Sequence, residues 1–209
     1  MNRVRVKICG ITRPADGVMV AQAGADAIGL VFYQQSQRFV SVENANRIIR
    51  ELPPFISTVG LFVNSTASEI RSVLSYVNLD ILQFHGEERP EDCSQFGKPW
   101  LKAIRMQAGV NLPKLAEDYA HSSGLLLDSY VPGQAGGTGQ TFDWNTVSKG
   151  LKKPVILAGG LHSANVKEAI LKLSPYAVDV STGVESDIGI KESIKVAGFI
   201  RQVRETDCE

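Results

Sequence analysis

Eight short runs rich in Val, Ile and Leu alternate with helical patterns almost from one end of the chain to the other. They are VRVKI (from Val4), AIGLVF (from Ala27), FISTVGLFV (from Phe55), DILQF (from Asp80), WLKAI (from Trp100), GLLLD (from Gly124), PVILA (from Pro154) and AVDVS (from Ala177). A near-continuous apolar run bounded by turn residues is what a strand shows when both faces are covered, as in a parallel sheet. The intervening segments carry the helical period. ADGVMVAQAG follows the turn residues Thr12 and Pro14, SVENANRIIREL follows the second run, and Ile70, Val73, Leu74 and Val77 share one helix face after the third. Further helices are predicted after Pro90, from Leu112 to Tyr119, in short form near Asp143, from a cap near Ser163, and over KESIKVAGFIRQV.

Strands separated by helices require parallel pairing with right-handed crossovers. Eight such units in 209 residues take about 26 residues each, a compact version of the (β/α)₈ TIM barrel. The α/β chain is therefore read as one barrel domain over residues 1–209. An open, doubly wound sheet is the structural rival, and the count of eight favours closure.

Bulk charge narrows the partners. Lys plus Arg (22) balances Asp plus Glu (22), so no global field draws the chain to nucleic acid or an anionic membrane. No segment reaches bilayer-spanning length, and the N-terminal MNRVRVKICG has no apolar secretory core. The three cysteines, Cys9, Cys93 and Cys208, lack CxxC or metal-type spacing, which fits a reducing cytoplasm and no disulfide framework.

In such barrels the reactive groups gather where strands run into the following loops. Those positions hold Cys9, Gly10, Arg38, Asn64, His85, Arg105, Asp128, Gly159, Gly160, Ser181, Thr182 and Gly183. AGGL after the seventh run and STGVE after the eighth let backbone N–H groups approach an anion, and the corresponding loops bind phosphate in many barrels. Either loop alone is equally a tight turn that needs glycine for geometry; two at adjacent strands favour phosphate. The Gly-rich segment from Pro132 to Trp144 is long for a strand–helix connection, and Gly136 and Gly137 are candidate backbone donors for a ligand beneath it. Cys9 is either an inert thiol or one activated by neighbouring cations, with Lys7 and Arg38 the candidates and Lys7 free to point outward. Asp128 is either a turn residue or a proton carrier, His85 lines the mouth, and His162 stands beside the AGG loop. Arg38 suits bidentate capture of a carboxylate.

VKICGIT (Val6 to Thr12), GLVFYQQSQRFV (Gly29 to Val40), VGLFVN (Val59 to Asn64), LQFHGEE (Leu82 to Glu88), LLLDS (Leu125 to Ser129), GGTGQTFDW (Gly136 to Trp144), LAGGL (Leu157 to Leu161) and DVSTGVE (Asp179 to Glu185) occur in this order. Together they resemble the phosphoribosylanthranilate isomerase family of tryptophan biosynthesis across nearly the whole chain. The resemblance implies an Amadori rearrangement of a phosphosugar substrate without cofactor or metal. It also implies Cys9 as general base, Asp128 as general acid, Arg38 on the anthranilate carboxylate, and the two Gly-rich loops on the phosphate. Apolar residues at helix surfaces serve either a homodimer or the outer ring of a monomer. Gln37 stands where the family has Pro, and Thr182 where it has Ser. Indole-glycerol-phosphate synthase, the histidine-pathway isomerase and a non-catalytic phosphosugar-binding barrel are the rival readings. The acid must be protonated and the thiol ionised together, the reverse of what each group prefers at neutral pH.

Overall fold

The computed structural model describes residues 3–129, 141–148 and 150–206. In chain order its elements are β1 (Arg5–Cys9), α1 (Pro14–Gln22), β2 (Ala27–Val31), α2 (Val42–Glu51), β3 (Ser57–Phe62), α3 (Ala67–Tyr76), β4 (Ile81–Phe84), α4 (Pro90–Cys93) and β5 (Trp100–Met106). They continue with α5 (Leu112–Asp118), β6 (Gly124–Ser129), β7 (Val155–Leu157), α6 (Val166–Leu173), β8 (Ala177–Val180), β9 (Glu185–Asp187), β10 (Ile190–Lys191) and α7 (Ser193–Thr206). Strands β1 to β8 pair in sequence order, all parallel, and β8 returns to β1 through Arg5↔Ala177 to Ile8↔Val180, so the sheet is a closed barrel. The doubly wound alternative is excluded.

Local chemistry sets the helix starts. Pro14 and Pro90 occupy first-turn positions, where the missing N–H costs nothing. Ser41 accepts the Asn44 N–H ahead of α2, and Thr66 with Glu69 forms a reciprocal capping box ahead of α3. The cap predicted near Ser163 falls two residues on, at Asn165, whose side chain makes no capping hydrogen bond to the helix. α6 starts at Val166, and Asn165 Oδ1 instead accepts the His162 N–H while its Nδ2 donates to Gly160 O, tying down the loop after β7. The short helix near Asp143 is a single 3₁₀ turn, Trp144–Thr146, with Asp143 accepting the Asn145 N–H. Phe55 stands outside β3, exposed and at φ 71°.

Alternate strand residues face the barrel axis and the helical shell. The axis side has an apolar floor of Leu101, Ala103, Leu126, Ile156, Ala158 and Ala177. The shell side is the larger core, in which Phe62, Phe84 and Trp100 make successive ring contacts, Phe84 meeting Trp100 edge-on at 6.0 Å. One element was not expected: residues 185–191 form an antiparallel hairpin, β9 and β10, rather than a loop leading into the last helix. Gly189 at φ 75° makes its turn. Thr12 Oγ1 donates to Gly189 O at 2.6 Å, and Lys191 N donates to Asp16 Oδ2 at 3.1 Å, so the hairpin is fastened over the start of α1.

Candidate active site

Closing the sheet brings all eight strand ends to one rim, and a cavity of about 190 Å³ opens there. Cys9, Arg38, His85 and Asp128 line it, as do Gly159, Gly160, Ser181, Thr182, Gly183 and His162. Gly136 and Gly137 lie outside the described residues. Asn64 and Arg105 do not line the cavity; Asn64 N–H donates to Glu88 Oε1 at 2.8 Å, and Arg105 Nη2 donates to His85 O at 3.3 Å. Both brace neighbouring strand ends.

Cys9 ends β1 and is buried. It has room because β2 carries Gly29 opposite; a Cβ there would lie 2.6 Å from the Cys9 sulfur. Burial pushes the Cys9 thiol up from its ordinary value, and Lys7 opposes that shift most strongly. Burial and the neighbouring cations thus act on this thiol in opposite directions. Lys7 does not point outward. Two residues before Cys9, it faces the barrel axis too, and its Nζ meets Asp179 Oδ2 at 2.8 Å.

Asp128 comes from β6. Its Oδ1 accepts the Ser129 N–H at 2.9 Å, and its Oδ2 meets His85 Nε2 at 3.1 Å. Gln83 Nε2 donates to His85 Nδ1 at 3.1 Å, which leaves the ring proton on Nε2, facing the carboxylate. Gln83 Oε1 is buried without a partner. Turning that amide over would place Oε1 on a protonated Nδ1 and let a protonated Asp128 donate to Nε2. The same three side chains can therefore hold the acid in either state.

Arg38 is not a free guanidinium. Its Nε and Nη2 form a bidentate pair with Glu185 at 2.8 and 2.6 Å, and Nη2 also reaches Thr182 Oγ1 at 3.3 Å. Lys191, fully buried, sits on the same carboxylate at 2.7 Å and on Ser181 O at 3.2 Å. Although burial alone raises Glu185, the Arg38 hydrogen bond and the Lys191 charge hold it below the usual carboxylate range. Two cations on one carboxylate leave one net positive charge beside the Ser181–Gly183 loop.

Those loops are packed backbone to backbone. Gly159 has φ 81°, and a Cβ there would lie 2.5 Å from Ser129 N. A Cβ on Gly183 would lie 2.0 Å from Leu161 O. The glycines therefore set the spacing between the end of β6 and the loops after β7 and β8.

Sequence reasoning missed Asp179, Glu185, Lys191, Gln83 and Gly29. Strand alternation carried a signal for three of them: Gln83 is two residues before His85, Asp179 two before Ser181, and Gly29 two before Val31, and all six of these residues face or border the cavity.

Known proteins share this sequence and this barrel. A sequence profile described as N-(5'phosphoribosyl)anthranilate (PRA) isomerase matches residues 6–202. N-(5'-phosphoribosyl)anthranilate isomerase of Azotobacter vinelandii is 54% identical over 98% of this chain and 99% of its own length. The crystal structure of phosphoribosyl anthranilate isomerase from Thermotoga maritima is 39% identical and covers 97% of this chain and 99% of that chain, with a TM-score of 0.89. Another crystal structure of a phosphoribosyl anthranilate isomerase is in complex with reduced 1-(o-carboxyphenylamino)-1-deoxyribulose 5-phosphate; it is 38% identical, covers 97% and 99% of the two chains, and has a TM-score of 0.86. With the profile spanning nearly the whole barrel and relatives at this identity, the chain belongs to the N-(5'-phosphoribosyl)anthranilate isomerase family.

Proposed function

We propose that this chain catalyses the Amadori rearrangement of N-(5-phosphoribosyl)anthranilate to 1-(2-carboxyphenylamino)-1-deoxyribulose 5-phosphate, with Asp128 as general acid and Cys9 as general base. The observation that carries the reading is the shared cavity. A thiol on β1 and a carboxyl group on β6 face one space, rimmed by the glycine loops after β7 and β8.

Asp128 gives its proton to the furanose ring oxygen as the C1–O bond breaks and the nitrogen lone pair forms the Schiff base. His85 fixes the direction of that carboxyl group. Cys9, as thiolate, then takes the C2 proton. The C–H electron pair becomes a C1–C2 double bond, the nitrogen recovers its lone pair, and the resulting enolamine tautomerises to the ketone. Only protons move, so the step calls for no metal or redox cofactor.

The phosphate group is assigned to Gly159, Gly160, Ser181, Thr182 and Gly183, beside the net positive charge of Arg38, Lys191 and Glu185. Arg38 is assigned to the anthranilate carboxylate. Because Nε and Nη2 are taken by Glu185, that contact falls to Nη1 or requires a change of partner. Among the described residues no helix is long and apolar enough to cross a membrane. A cytoplasmic monomer or homodimer acting on a small phosphosugar, without nucleic acid or membrane partners, completes the proposal.

The test is turnover of freshly generated phosphoribosylanthranilate, followed by loss of anthranilate fluorescence. Conversion at enzymatic rates is expected. A protein that binds the phosphosugar and leaves the fluorescence unchanged would be a binding barrel and would refute the proposal.

A further inference from the structure

Beneath the proposed base lies a buried ion pair that the reaction as written does not use. Lys7 and Asp179 side chains are 6% and 7% exposed, and their charged atoms are 2.8 Å apart. An isolated pair in a barrel interior is a weak stabilising device, since the cost of dehydrating both ions offsets most of their attraction. Its position suggests another use. Lys7 and Cys9 point the same way from β1, so the ammonium sits one layer below the sulfur. Asp179, on the neighbouring strand β8, lines the same cavity as Cys9, and its second oxygen, Oδ1, is buried without a hydrogen-bond partner. The carboxylate is thus only half satisfied by Lys7.

We propose that Lys7 is the counter-ion of the Cys9 thiolate, a positioning residue whose ammonium is shared between Asp179 and the sulfur. Asp179 then sets how much of that charge the sulfur receives. The proposal rests on Cys9 being the base. The other charged groups that act on the sulfur are Lys191 on β10 and Arg38 on the loop after β2, both held by Glu185. β2 itself presents Ala27, Gly29 and Val31 on this side, none of them charged. His85 and Asp128 stand across the cavity from β4 and β6. β1 also carries Arg5, four residues from Cys9 and stacked over the Tyr176 ring. Lys7 is therefore the cation of that strand nearest the sulfur, and the one whose partner is a cavity-lining acid. When Cys9 ionises to receive the substrate proton, Lys7 balances the new charge. When the proton arrives, Lys7 returns to Asp179.

The experiment titrates Cys9 in the ligand-free protein by its rate of alkylation with iodoacetamide across pH, read on the Cys9 peptide by mass spectrometry. Lys7→Met is expected to move the midpoint upward by about one unit, so that about tenfold less thiolate is present at neutral pH. Asp179→Asn, which keeps an oxygen for Lys7 but removes the competing charge, is expected to move it downward. A pair that only fills the barrel would shift both variants alike or neither, and that result overturns the proposal. Lys7→Met leaves a buried carboxylate alone. If it fails to fold, Asp179→Asn still tests the proposal: an unchanged or higher midpoint refutes it, and a lower one is assigned to Lys7 or to Asp179 itself by the charge-neutral double variant. The charge-neutral double variant isolates the sharing. If Asp179→Asn lowers the midpoint as much with Met at position 7 as with Lys, Asp179 acts on the sulfur directly and the shared ammonium is wrong. None of these readings needs turnover, so a failure of the isomerase reading would appear separately, as an inactive wild-type protein.

Discussion

Arg38 shows how a neighbouring side chain redefines a candidate residue. As a strand-end arginine it reads as a carboxylate clamp, yet its fork already faces Glu185, and its side chain is 14% exposed. Glu185 thereby aims the guanidinium and spends part of its hydrogen-bonding capacity. Arg38→Ala is predicted to raise KM about tenfold or more while leaving kcat within a few-fold, because a contact made equally in ground and transition states affects binding rather than turnover. Steady-state kinetics on the anthranilate substrate checks this; unchanged KM and kcat would remove Arg38 from the carboxylate. Cys9 and Asp128 were legible as polar residues closing apolar strands. Their regulators were not, because Lys7 meets Asp179 across 172 positions and Arg38 meets Glu185 across 147. No local pattern encodes such a contact; only barrel closure, which pairs β8 with β1, creates it.

The loops after β7 and β8 form a single unit rather than two separate phosphate grips. Gly183 lies against the carbonyl of Leu161, and Asn165 holds Gly160 from below. A methyl group at position 183 must push the two loops apart, and misplacements near 1 Å can cost about a hundredfold in rate. Gly183→Ala is therefore predicted to weaken competitive inhibition by inorganic phosphate and to lower kcat/KM by about ten- to a hundredfold, with the far-ultraviolet circular dichroism unchanged. Full retention of phosphate inhibition would show that these loops do not bind the anion. The eight barrel strands were readable because each is a nearly unbroken run of apolar residues. The β9–β10 hairpin was not, since strands of three and two residues are too short to show a period. The start of α6 was readable only to within two residues, because Ser163 has the chemistry of a cap while the side chain of Asn165 secures the turn.

At the scale of the whole barrel, the Glu185 cluster ties the loop after β2 to β10 and to the rim of β8, so its ionisation bears on global stability. Its carboxyl group titrates below the ordinary value of 4.5 in the folded protein. The stabilisation is therefore complete above that value and is lost as pH falls through the lower, folded one. Glu185→Gln should flatten the acid side of the stability profile, measured as urea midpoints from pH 7 down to about 3; an acid slope identical to the wild type would contradict this. The two side chains proposed to move protons are tested by kcat for Cys9→Ala and Asp128→Asn, measured beside the affinity of each for the reduced product analogue. Each is expected to lose about 10²–10⁴-fold in kcat while the analogue still binds nearly as in the wild type. Near-normal turnover in either variant would contradict the role proposed for that residue.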